Sequence, residues 1–132
     1  MREVKSHIVN ECNDKLKIKV VDEAGSGGAH HAYVISGFDT ASNGSARDAG
    51  NPPQYGTVIL FQNGPIKENG TNGLTHEVLL AILEDRLASF QAGPYACSEN
   101  EKALAHIRCA QEILQARTKA RLARGVEGTH KI

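Results

Sequence analysis

No charge of either sign predominates in this chain: Lys plus Arg number 15, and Asp plus Glu also number 15. A protein that holds DNA or RNA generally is ordinarily basic, so polymeric nucleic acid is excluded as a broad partner. Cysteine is scarce. Cys12, Cys97 and Cys109 form an odd set of three, and no pair has the close spacing of a zinc knuckle. That usage predicts reduced thiols in a cytosol rather than a disulfide framework. No run of about 20 apolar residues is present to span a membrane. The N-terminal "MREVKSHIVN" also lacks the apolar stretch of a signal peptide. The sequence therefore predicts a soluble, intracellular protein with no membrane partner. Its 132 residues suit one domain, with a modest core that gains from a partner subunit.

Catalytic and metal-binding patterns are missing too. No Ser-His-Asp or Cys-His arrangement is legible. Asp22, Glu23, Asp39 and Asp48 are scattered over loops and not paired as in hydrolases. "HEVLL" (76–80) opens like a zinc-protease motif but has Leu80 where the second histidine is required. Glu77 there suits a helix N-terminus. "GSGGAHHAY" (25–33) has neither the Walker order nor GxGxxG, so a hairpin loop is its default reading. His30 and His31 are adjacent, and in a strand they point to opposite faces and cannot share one metal. His106 and Cys109 stand three apart on a helix, but two ligands do not make a zinc site, and packing accounts for them. No enzyme activity, metal or cofactor is expected.

Two halves of different periodicity are present. "KLKIKVVD" (15–22) alternates lysine with Leu16, Ile18 and Val20, the period of a half-buried strand. "AYVISGF" (32–38) and "GTVILFQ" (56–62) are short, rich in β-branched and aromatic residues, and bounded by turn formers. "EVKSHIVN" (3–10) is a weaker strand. With no helix between them, these strands predict an antiparallel sheet. The loop 39–54 is longer than a structural connection needs, which marks it as a mobile or functional segment.

From residue 75 the period changes. "THEVLLAILEDRLASFQ" (75–91) places Leu79, Ile82, Leu83, Leu87 and Phe90 on one helical face. Gly93-Pro94 stops it. Ser98 and Glu101 form a capping box for a second helix running from about residue 99 to Arg124, with Gly125 as terminator. That helix is roughly 40 Å long. The fold class is α+β: an N-terminal antiparallel β-domain (1–72) followed by a C-terminal two-helix hairpin (73–132).

Charge is concentrated at the end. Between Ile113 and Ile132 stand Arg117, Lys119, Arg121, Arg124 and Lys131 against one acid, Glu127. Arg117, Arg121 and Arg124 fall within about 60° on a helical wheel. No acid lies one turn before Arg117 or Arg121. Arginine's planar fork matches two phosphate oxygens. From chemistry alone the face is either a solvated surface or an anion site.

Four stretches together, "GAHHAYVISGFDT", "ILFQNGPIKENGTNGLTHEVLLAILEDRL", "FQAGPYACSENEKAL" and "RTKARLARGVEGTHK", resemble the first type of Thoeris anti-defence protein. These phage proteins share a helical hairpin with anti-CBASS sponges. The resemblance runs from about Asp22 to Lys131. It implies a β-domain with a helical hairpin, and a protein that is not an enzyme. Such a protein hides the cyclic ADP-ribose isomer made by bacterial TIR-domain proteins, in the cytoplasm of the infected bacterial host.

The resemblance also implies ligand residues: Phe90 ending the first hairpin helix, Asn100 opening the second, and Arg117 and Arg121 near its end. Some members form hexamers and capture cyclic trinucleotides at a separate site. Arg124, Thr129 and His130 are the candidates for such a site here, although a disordered tail reads equally well. Asn100 and Arg117 are separated by about 26 Å along one helix. One nucleotide cannot reach both in the same chain, so the spacing predicts at least a homodimer, and the resemblance implies a hexamer built from such dimers as the alternative. Two other readings stay open: a hydrolase acting on the same signal with His30, His31 or His106 as base, and a protein whose hairpin only oligomerises.

Overall fold

The structure is a computed structural model that describes residues 2–50 and 52–129. It divides into two compact units, Met1–Asn63 and Gly64–Ile132.

The first unit is an antiparallel meander of β1 (Arg2–Val4), β2 (Lys17–Val20), β3 (Ala32–Ser36) and β4 (Gly56–Leu60), in that order across the sheet. The lysine alternation sets the faces. Lys17 and Lys19 stand exposed, while Ile18 is half-buried and Val20 fully buried. Register carries this pattern across the sheet. Ile18 pairs with Val4 and Ile35, and Val20 pairs with Arg2 and Tyr33, which in turn faces Ile59. Tyr33 and Phe61 meet edge to face, with centroids 5.7 Å apart. Of the weak 3–10 segment only Glu3 and Val4 pair with β2, together with Arg2 before it. Beyond them the chain turns, with Asn10 and Asn13 at positive φ and a Val9–Cys12 bridge. Gly37 closes β3 at φ 96°, where a Cβ would lie 1.7 Å from the Lys15 carbonyl oxygen, so glycine is required.

In the loop 39–54, the described residues 39–50 and 52–54 are tied by side-chain hydrogen bonds. Asp39 accepts from the Ala41 amide, and Asn43 accepts from Ser45 to cap a short helix, α1 (Gly44–Asp48). Thr40 and Gln54 clasp its two ends: the Gln54 amide donates to Thr40 Oγ1 at 2.7 Å, and the Thr40 amide donates to the Gln54 carbonyl at 2.9 Å. Local side-chain caps thus account for the turns of this segment.

The second unit begins with the single turn α2 (Ile66–Asn69), followed by the hairpin of α3 (His76–Gln91) and α4 (Ser98–Ala123). Thr75 caps α3 through its hydroxyl. The cap of α4 lies one residue earlier than the Ser98–Glu101 box predicts. Cys97 takes the role, its sulfur accepting the Asn100 amide at 3.4 Å, while Gln91 Oε1 accepts the Cys97 amide. Along α4 the less exposed positions are Asn100, Leu104, Ile107, Gln111, Leu114, Thr118 and Arg121, with Ala110 beside them. Their four-three spacing is the seam of a packed helix pair. Of the predicted apolar stripe of α3, Leu79, Leu87 and Phe90 are half-buried, whereas Ile82 and Leu83 face water, 60% and 47% exposed. Glu84 and Arg108 bridge the two helices at 3.4 Å. Among the described residues, the buried apolar side chains are Val20 in the first unit and Leu104 in the second. No described helix is long and apolar enough to cross a membrane.

Candidate functional site

The end of α4 is where the arginines gather, and the structure treats them unequally. Arg117 and Arg124 are exposed, whereas Arg121 is buried, at 7% exposure. The cause is the chain that follows. Gly125, at φ 71°, reverses the backbone, so that its amide reaches Leu122 O and the Val126 amide reaches Arg121 O, each at 3.0 Å. This is a Schellman closure, satisfying carbonyls that the helix leaves open. The tail then folds over Arg121. Its Nε donates to Glu127 Oε2 at 3.0 Å, and its Nη2 donates to the carbonyls of Val126 at 2.9 Å and Thr129 at 3.3 Å. The Thr129 hydroxyl donates to Val126 O, and the Lys67 amide donates to Gly128 O at 3.3 Å. Residues 126–129 are therefore a built turn anchored on α2, not a loose tail. The expectation that Arg121 lies on an exposed face is corrected: its acidic partner stands beyond the helix end.

The three arginines consequently do not form one open cationic surface. Arg117 presents its guanidinium to solvent, Arg124 is the C-cap residue, and Arg121 holds the tail. The predicted second-site residues are divided as well. Arg124 and Thr129 lie at the helix end, and His130 lies outside the described residues.

The other two candidates sit near the opposite end of the hairpin. Phe90, in the last turn of α3, is half-buried. The Arg86 guanidinium lies 5.1 Å from its ring centroid, and Tyr95 meets it edge to face at 6.4 Å. Arg86 and Tyr95 were not singled out by sequence, although Arg86 stands one turn before Phe90 and its cation suits the ring face. Asn100, in the first turn of α4, is half-buried on the same seam as Arg121. The hairpin thus separates Phe90 and Asn100 from Arg117 and Arg121 by most of the length of α4.

The histidines form a different cluster. His30 and His31 precede β3, so strand alternation does not separate them. Both imidazoles approach Asp22, with Nδ1 of His30 3.7 Å from Oδ1 and Nδ1 of His31 3.9 Å from Oδ2. Nδ1 of His30 donates to the Asp22 carbonyl at 2.8 Å. The Asp22 carboxylate accepts the amides of His31 at 2.9 Å and Ala32 at 3.1 Å. The His31 amide, foremost among these contacts, holds its pKa below the usual carboxylate value. Among the described residues no group of three or more His, Cys, Asp or Glu is placed to hold a metal ion. His106 and Cys109 are both exposed on α4.

Residues 55–119 match the family model described as "Acb2/Tad1, hairpin domain", which covers β4 to the end region of α4. The chain is also 44% identical over 74 residues to a protein named "Thoeris anti-defense 1" from Bacillus phage SBSphiJ7. That alignment takes in 56% of this chain and 52% of the relative, so the chain spans about half the length of that relative.

Proposed function

We propose that the protein, whose residues 55–119 match the Acb2/Tad1 hairpin model, is a phage anti-defence protein that sequesters a nucleotide signal without cleaving it. The signal is the cyclic ADP-ribose isomer made by bacterial TIR-domain proteins, and the site of action is the cytoplasm of the infected host. One observation carries this reading. Phe90, Asn100 and Arg117, the ligand residues that the sequence resemblance implies, lie within the matched segment, and Arg121 follows two residues past it on the same helix.

Each residue has a physical role. Phe90 stacks on the adenine, a contact worth about 1–3 kcal/mol. Asn100 offers a donor and an acceptor to ribose or base. Arg117, exposed and forked, takes one side of the pyrophosphate. Arg121 takes the other when Glu127 releases it.

Because Asn100 and Arg117 stand about 26 Å apart on one helix, a single ligand is closed by two chains packed antiparallel. The exposed Ile82, Leu83, Ile113 and Leu122 supply apolar surface for such packing. The assembly is a homodimer or a hexamer of such dimers. Arg124, Thr129 and His130 are assigned to a second site for cyclic trinucleotides.

Isothermal calorimetry against cyclic ADP-ribose isomers and cyclic di- and trinucleotides tests the reading. A sponge binds one class stoichiometrically and returns it intact after heat release. Cleaved ligand would identify a hydrolase, and no heat with any of these nucleotides would leave only an oligomerisation role.

A further inference from the structure

Two arginines of the hairpin have acidic partners. Arg108 meets Glu84 at 3.4 Å, and Arg121 meets Glu127 at 3.0 Å. Arg86, exposed on α3, pairs with no acid among the described residues. Its guanidinium lies over the Phe90 ring instead, with Cζ 5.1 Å from the centroid. The guanidinium carries five N–H donors, and no described acceptor takes one of them. A ring face attracts the charge but leaves the fork unused.

The four-residue spacing brings the two side chains together. Side chains on a helix lean toward its N-terminus, so Phe90, in the last turn, is drawn back over Arg86. Tyr95, 74% exposed between the helices, meets the same ring edge to face at 6.4 Å. The start of α4 is tied to this end as well. Gln91, next to Phe90, accepts the Cys97 amide through Oε1 at 3.0 Å, and the Cys97 sulfur accepts the Asn100 amide at 3.4 Å. One end of the hairpin therefore joins an aromatic ring, a carboxamide and a cation whose donors are uncommitted. A nucleotide requires these parts: a flat surface for its base, a donor and acceptor for base or ribose, and charge for its phosphate.

We propose that Arg86 is a further nucleotide-binding residue: its guanidinium is parked on Phe90 in the free chain and moves to a phosphate oxygen of the nucleotide whose base stacks on that ring. This role rests on the reading of the hairpin as a nucleotide binder. The exchange is favourable because an exposed cation–π contact is weak beside a forked, charge-assisted hydrogen bond, and the stacked base replaces what the ring gives up. It is also local. A guanidinium 5.1 Å from the ring centre lies within the span of a nucleotide stacked there, and the long side chain turns aside without moving the backbone. In the two-chain site Arg117 and Arg121 come from the second chain, whereas Arg86 is charge supplied by the chain that stacks the base.

The experiment is calorimetry on the full chain with the cyclic ADP-ribose isomer, at low and moderate salt, joined to NMR of the arginine Nε–H signals. Arg86→Gln is expected to weaken binding by about tenfold or more at low salt and by less at moderate salt, because screening acts on the charge. Arg86→Lys keeps the charge without the fork and is expected to fall between the two. It also serves if Arg86→Gln does not fold. The Arg86 Nε–H signal, shifted upfield by the Phe90 ring in the free chain, is expected to move downfield as the ligand saturates. A variant that binds like the natural chain overturns the proposal. So does a loss that is equal at both salts, or an Nε–H signal that keeps its ring shift in the saturated complex, since Arg86 would then only steady the ring. A natural chain that does not bind the isomer overturns the nucleotide reading and this role with it, whereas binding by the natural chain that Arg86→Gln leaves unchanged overturns this role alone.

Discussion

Arg121 on α4 is held by Glu127, six residues on and past the helix end, with Nε and Oε2 3.0 Å apart. The pair turns a cation that the helical wheel places on an open face into the anchor of residues 126–129. Two backbone carbonyls share the same guanidinium. The arginine contributes to folding in the free chain, and a phosphate of the proposed ligand would have to compete with a carboxylate for it.

Arg121→Ala should therefore destabilise the fold by about 1–3 kcal/mol, since it leaves a carboxylate and two carbonyls without their charged donor. Arg117→Ala should change stability by no more than about 0.5 kcal/mol, as is usual for an exposed site. Urea melts of both variants check this. Equal stability in the two would refute the anchoring role. Arg121→Lys should restore only part of the loss, because the ammonium cannot reproduce the fork.

Nucleotide affinity should respond differently. Arg117→Ala should weaken binding of the cyclic ADP-ribose isomer by about 2–5 kcal/mol, through a phosphate left partly unpaired. Glu127→Gln should strengthen it by about 0.5–1 kcal/mol, the scale of a partly exposed ion pair that no longer has to be broken. Calorimetry on both variants, at low and moderate salt, provides the comparison. Weaker binding by Glu127→Gln would mean that Arg121 serves the ligand only while the tail is closed.

The helix N-cap offers a simple gain. Cys97 caps α4 with sulfur at 3.4 Å, a weak acceptor. Cys97→Ser should raise stability by about 0.5–1 kcal/mol, because a hydroxyl oxygen is a preferred cap. Thermal melts in reductant would show it, and a lowered melting point would indicate that the larger sulfur is needed for packing.

Acid should act through Asp22. Its folded pKa is depressed, led by the His31 amide, so its contribution is fully present above the ordinary carboxylate value. That contribution is lost as pH falls from about 4 through the lower folded value. Asp22→Asn should flatten this acid limb of the stability profile, leaving the difference from the natural chain largest near neutrality. A parallel acid limb in the variant would mean that other carboxylates dominate.

The sequence makes the strands legible because Lys17 and Lys19 alternate with Ile18 and Val20, and the helix ends legible because Thr75 and Gly125 have defined capping chemistry. It conceals two things. The clasp of Thr40 with Gln54 joins residues far apart in the loop, so composition shows only turn formers. The burial of Arg121 is hidden for a similar reason: acids one turn before it are visible by inspection, but Glu127 becomes its neighbour only after Gly125 reverses the chain. The candidate ligand positions emerge from whole-chain resemblance, not from any local motif, because Phe90 and Asn100 look like ordinary helix-end residues.

Val20 and Leu104, the buried apolar side chains among the described residues of the two units, have a calorimetric consequence. The heat capacity of unfolding follows the apolar surface that becomes wet. A chain that already wets Ile82, Leu83, Val58 and Leu60 should fall below the usual 12–15 cal/mol/K per residue, about. Its denaturant slope should be shallow for the same reason. The missing heat capacity should appear instead when copies associate, as a negative change for each apolar face withdrawn from water. Dilution would then broaden the melt as well as lower its midpoint, and the sharpness of unfolding would be a property of the assembly, shared unequally between its chains and their contacts.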